Sequence, residues 1–99
     1  MQIPKTFKLG ETKYKVQMVR HTAPKGTMGK VYYDLGRIEI ATNSGRNDRS
    51  FKQEEIDDTF WHEVTHAILR DMGHRLWNNE PFVTAFANRL TQVVNTSKL

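Results

Sequence analysis

Residues 50–73 read SFKQEEIDDTFWHEVTHAILRDMG. Ser50-x-x-Gln53 has the form of a capping box, which satisfies free backbone donors at a helix start. Glu54, Glu55, Asp57 and Asp58 follow at once, where negative charge suits the positive end of the helix dipole. Ile56, Phe60, Val64, Ala67 and Ile68 then recur at helical spacing and make one apolar stripe. Gly73 is a natural stop. The spacing therefore predicts a long amphipathic helix between a polar start and a glycine end.

Downstream, NNEPFVTAFANRLTQVV predicts a second helix starting near Asn79, with Pro81 tolerated in the first turn. Its apolar face is Val83, Phe86, Ala87, Leu90, Val93 and Val94. Upstream the period changes from about 3.6 to 2. Phe7 and Leu9 alternate with polar neighbours, as do Tyr14, Val16 and Met18, and Ile38 and Ile40. Gly10 to Thr12 suits a hairpin turn, and Leu35-Gly36 suits a second turn between KVYYD and RIEIA. The expectation is an α+β fold in one domain spanning residues 1–99. It has a small antiparallel or mixed sheet of three to four strands, followed by two helices packed on it.

Composition narrows the chemistry. There is no Cys, so disulfide scaffolds and thiolate zinc modules are excluded and any metal must be held by His and carboxylate. No apolar run reaches the roughly 18 residues of a membrane span. The start, MQIPKTFKLG, has no apolar core of signal-peptide type, so a cytoplasmic location without membrane contact is expected. The formal charge of +4 is mild. Arg20, His21, Lys25, Lys30, Arg46 and Arg49 fall in or beside loops and could touch phosphate. No recognition-helix pattern or aromatic platform accompanies them, so nucleic acid is not the expected partner.

The long helix contains His62-Glu63-Val64-Thr65-His66. H-E-x-x-H on a helix is a recurring two-histidine zinc motif in which the Glu acts as general base. Residues four apart differ by about 40° around the axis and about 6 Å along it, so both imidazoles can reach one ion. Glu63, offset by about 100°, flanks that ion without crowding it. The apolar stripe centres on the opposite side, which leaves the His pair a face of its own. Chance would produce the pattern in about 1% of chains of this composition. A catalytic zinc site uses three protein ligands and an open position. Asp71, His74 and Glu80 are the downstream candidates. Asp71 points about 140° away from His66. Glu80, at the start of the next helix, can be returned to the ion by residues 74–79, which span up to about 20 Å.

HEVTHAIL followed by NEPFVTAFANRL resembles the active-site helix and glutamate helix of gluzincin metallopeptidases. The likeness is strongest to the smallest ones, the minigluzincins and the ImmA/IrrE-type peptidases. Glu80, Val83, Phe86, Ala87 and Leu90 follow the shape of the glutamate helix, and MGKVYYDLGRIEIAT resembles the preceding strand region. Thr84 stands where an acidic residue is often found, and Phe82 replaces a second Glu. The resemblance implies a minimal zincin-like domain with one catalytic Zn²⁺ on His62, His66 and Glu80 and with Glu63 as general base. It implies a peptide or protein substrate, and leaves room for a regulatory protein partner and for latency in isolation. Tyr32, Tyr33, His74 and Arg75 are eligible to stabilise an oxyanion, and His74 and Tyr33 are kept as alternative ligand or oxyanion donor. Arg37, Ile38, Glu39 and Ile40 are expected on an edge strand that pairs with an extended substrate. The competing expectation is a non-catalytic basic module that binds protein or nucleic acid, with or without a structural metal. Oligomeric state is not legible.

Overall fold

Alternation in the first half produces four strands and helical periodicity in the second produces two helices. They are described here from a computed structural model of residues 1–98. The strands are β1 (Thr6–Leu9), β2 (Thr12–Val19), β3 (Gly29–Tyr32) and β4 (Arg37–Ala41). The helices are α1 (Gln53–Asp71) and α2 (Glu80–Thr96). The class is α+β, with one mixed sheet in the order β1-β2-β4-β3.

Both anticipated turns close antiparallel hairpins, β1/β2 and β3/β4. The loop after β2 carries the chain past its neighbour position, and the β3/β4 hairpin then returns β4 to pair with β2. A strand that arrives after one such reversal runs in the same direction as β2, so this central pairing is parallel, from Lys15↔Arg37 to Val19↔Ala41. Gly36 permits the return. Its φ is +60°, and an added Cβ would lie 2.6 Å from the Lys13 carbonyl oxygen.

Segment 37–41 is therefore an interior strand, not the expected edge. Ile38 and Ile40 are 0% exposed, because neighbours on both sides and α1 above leave them no route to solvent. The edge beside the helices is β3.

The core is Tyr14, Ile38 and Ile40 from the sheet against Phe60, Val64 and Ala67 from α1. Phe7 stacks on Tyr14 and meets Phe60 edge-on. α2 packs on α1, as a third layer, where both helices were expected on the sheet. Consequently the outer part of the anticipated apolar faces stays exposed: Ile68, Phe86 and Val93 are open, while Val83 and Ala87 are sealed.

The helix start also differs. The N-cap is Lys52, whose backbone N–H donates to Glu55 Oε2 at 2.8 Å. Ser50 instead forms a β-bridge with Asn43. Arg49 grips the Glu55 carboxylate with both terminal nitrogens at 3.2 Å, so the acid two residues beyond Gln53 takes the reach-back role.

One polar cluster ties the layers together. Asp57 is 1% exposed and accepts from the Met1 ammonium at 2.9 Å, Gln53 Nε2 at 2.8 Å and Asn95 Nδ2 at 3.0 Å. Burial works against ionisation of Asp57. The hydrogen bonds from Gln53, Met1 and Asn95 outweigh it and hold the carboxyl below its ordinary range. A depressed folded-state value means that the stabilisation is present above the unfolded value of about 4 and is lost as pH falls through the folded one. Asp57→Asn should therefore lower unfolding free energy at pH 7 by about 1–3 kcal/mol. In urea titrations, the gap from the parent should close as pH drops below about 4; a gap independent of pH would remove the charge from the explanation.

Candidate metal centre

On α1, with His62 at 0°, the sheet-facing residues Phe60, Val64 and Ala67 lie between about 140° and 200°. His62 and His66, at 0° and about 40°, thus fall on the flank between β3 and the start of α2. Thr59 and Glu63 face β3, and α2 enters from the other side. The result is a trench of about 370 Å³ with His62, Glu63 and Thr59 on its floor, Gly29 and Met28 on one wall and Glu80 on the other.

Glu80 is placed by the local chemistry of a helix start. Asn79 caps α2 by accepting from the Phe82 N–H at 2.9 Å, and Pro81 follows in the first turn. The Glu80 carboxylate then reaches both imidazoles, with Oε2 3.1 Å from His62 Nε2 and Oε1 2.7 Å from His66 Nε2. The two Nε2 atoms are 3.2 Å apart. A tetrahedral ion with bonds of about 2.0–2.1 Å holds its donors about 3.3 Å apart; the imidazole pair and the His62–Oε2 contact lie near that spacing, whereas the 2.7 Å His66–Oε1 contact is a hydrogen-bond distance that would have to open to admit an ion. Glu63 belongs to the same cluster: His62, Glu63 and His66 each offer a ligand atom within 4.8 Å of the others.

His66 is oriented from behind. Its Nδ1 donates to the Trp77 carbonyl at 2.7 Å, which aims Nε2 at Glu80. The Trp77 side chain meets Tyr33 edge-on with ring centroids 5.8 Å apart, and the Arg70 guanidinium lies 4.3 Å from the Tyr33 ring and 4.9 Å from the Trp77 ring. The sequence carried no signal for a carbonyl as partner. The clustering of Tyr33, Arg70 and Trp77 needs tertiary structure to be seen.

Burial distinguishes the two carboxylates. Glu63 is 6% exposed and its Oε2 has no hydrogen-bond partner among the described residues. Burial pushes its carboxyl up to about 7; His66 opposes this and Glu80 adds to it. Glu80 is exposed and faces the imidazoles directly. Burial also lowers the His62 value against the pull of Glu80, which favours the neutral, ligating imidazole.

Other sequence candidates lie elsewhere. His74 sits in the turn between the helices, where its Nδ1 accepts from the Leu76 N–H, and it lines an apolar groove with Met72 and Phe82. Tyr33 lines a separate cleft of about 200 Å³ with Tyr14 and Asp71, and burial pushes its hydroxyl up to about 12. Tyr32 donates to Glu39 on the far side of the sheet. Asp71 lies beside Gly10, and Arg75 is exposed. Arg37, Ile38, Glu39 and Ile40 are separated from the trench by β3.

Gly29 sets the width of the trench. A Cβ there would lie 2.7 Å from Thr59 Cγ2 and 2.9 Å from Glu63 Cγ. Only a missing side chain lets β3 approach α1 this closely. No protein-family model, curated protein or solved structure matches the chain. The likeness to gluzincins therefore rests on the residues quoted for it.

Gly29→Ala should force β3 and α1 apart and destabilise the fold by about 1–3 kcal/mol. Equilibrium unfolding reads this directly, and an unchanged midpoint would show that the wall yields without cost.

Proposed function

We propose that this chain is a zinc-dependent peptidase in which His62, His66 and Glu80 hold the ion and Glu63 is the general base. One observation carries the reading: two imidazoles 3.2 Å apart and a carboxylate from a second helix converge on one point, with a buried, unpartnered carboxylate oxygen beside them. An exposed ion pair would account for Glu80 meeting one histidine. It would not account for two imidazoles 3.2 Å apart or for the donor to Trp77 that aims one of them.

When bound, zinc supplies Lewis acidity that makes water a nucleophile near neutral pH and polarises a carbonyl oxygen. Glu63 takes the proton from the attacking water and delivers it to the leaving nitrogen. Its burial against Gly29 keeps bulk water from competing for that proton. The Trp77 carbonyl and the Arg70 stack keep His66 from rotating. The substrate strand is assigned to β3 in place of 37–41. β3 has a neighbour on one side only, so its other edge offers backbone groups to an extended peptide alongside the trench.

Purified protein should carry about one zinc per chain, and His62→Ala or Glu80→Ala should weaken binding by at least about tenfold in a chelator competition. Glu63→Gln should keep the metal and lower hydrolysis of a fluorogenic peptide library by about 100-fold or more. Full turnover by Glu63→Gln removes the general-base assignment. Undiminished zinc affinity in Glu80→Ala removes the third ligand.

A further inference from the structure

α1 covers one face of the sheet, and among the described residues no element packs on the other. Strand alternation and register define what that open face carries. Inward positions hold Phe7, Tyr14, Ile38 and Ile40, so Lys8, Lys13, Lys15, Arg37 and Lys30 point outward. The strands place one carboxylate there, Glu39; Glu11 and Asp34 belong to the turns at one end. Glu39 is already engaged, by the Tyr32 hydroxyl at 3.3 Å and by Arg37 Nε at 3.7 Å. Among the described residues Lys8, Lys13 and Lys15 make no ion pair, and all three are exposed.

The register sharpens the point. Lys8 stands directly opposite Lys13, and Lys15 directly opposite Arg37. Like charges facing each other across strands destabilise a sheet. Two such pairs occur side by side, rooted on backbone positions about 4.8 Å apart across strands and about 6.6 Å apart along β2. A polyanion lying on this grid removes the repulsion and gains the attraction.

We propose that this face, built on Lys8, Lys13, Lys15 and Arg37, binds the phosphate backbone of single-stranded nucleic acid. The residue types favour a phosphate backbone over an acidic protein. Protein interface centres are depleted of Lys and built on apolar anchors, whereas this centre is lysine-rich and its aromatic, Tyr32, already carries Arg37 at 4.4 Å and Lys30 at 4.9 Å from its ring. An open, gently twisted sheet suits a flexible single strand laid along cations beside an aromatic ring. Among the loop cations Arg20 and His21 bind Asp48 and Arg49 grips Glu55 with both terminal nitrogens, whereas Arg37 meets Glu39 through Nε alone, at 3.7 Å. The inference is independent of the metal centre, which lies on the other side of the sheet.

The test is fluorescence anisotropy of the full chain with a labelled mixed-sequence 20-nucleotide DNA strand, between about 50 and 300 mM salt. Four cations on phosphates predict a slope of log affinity against log salt of about −3. Lys13→Gln/Lys15→Gln should reduce the slope to about −1.4 and weaken binding at least about tenfold at 50 mM salt. Because it relieves repulsion, this variant should melt no lower than the parent, which also shows that it folds. Lys8→Gln alone should lower the slope by about 0.7. A control with Lys25→Gln/Arg46→Gln in the loops should bind as the parent does. Absence of binding, unchanged binding by the sheet variants, loss of binding in the loop control, or equal affinity for polyglutamate or phosphatidylserine vesicles would each overturn the proposal.

Discussion

Burial of Phe60, Val64 and Ala67 against Ile38 and Ile40 sets the rotation of α1 about its own axis, and that rotation positions the rest of the molecule. Once those three side chains enter the core, His62 and His66 must fall on the flank between β3 and α2. Glu63 must turn toward β3. The opposite flank is left for α2. A rotation of one residue, about 100°, would bury an imidazole in the core and carry Glu63 away from the trench.

The same helix is unusual in what it buries. Of its eight buried residues, Asp57, Thr59, Glu63, Thr65 and His66 are polar, so burial alone cannot be its stabilising principle. Most are satisfied locally or by a distant partner. Thr59 and Thr65 donate back to the Glu55 and Trp61 carbonyls, Asp57 collects donors from both ends of the chain, and His66 donates to Trp77. Glu63 Oε2 is the exception. An unpaired buried acceptor costs about 1–3 kcal/mol, and such costs concentrate where a group is held ready for chemistry. That contrast within one helix singles out Glu63 as the buried polar residue left without a partner.

The sheet has a comparable division. Its inner face is apolar and shapes the core; its outer face collects cations that the core does not need. Interior placement of β4 links the two, since the strand that buries Ile38 and Ile40 also puts Arg37 opposite Lys15. It also frees β3, a strand with a glycine against α1, to be the edge that borders the trench.

Local patterns were enough to define the α+β class, the two hairpin turns, the helix carrying HEVTH and the second helix opening on Asn79 and Glu80. These features rest on periods of 2 and about 3.6 and on turn and cap chemistry, which act over a few residues. Even the convergence of Glu80 on the His pair was within reach of chain-length geometry. Strand order was not, because Ile38 and Ile40 alternate identically in an edge or a central strand, and only the path of residues 20–28 decides which neighbour β2 receives. Nor were the Trp77 carbonyl, the approach of Gly29 or the facing cations legible, for each depends on which residues meet across the fold. Sequence by itself determined the elements and the donor groups; tertiary structure alone decided who faces whom, because local propensity specifies a segment's shape while long-range packing selects its partners.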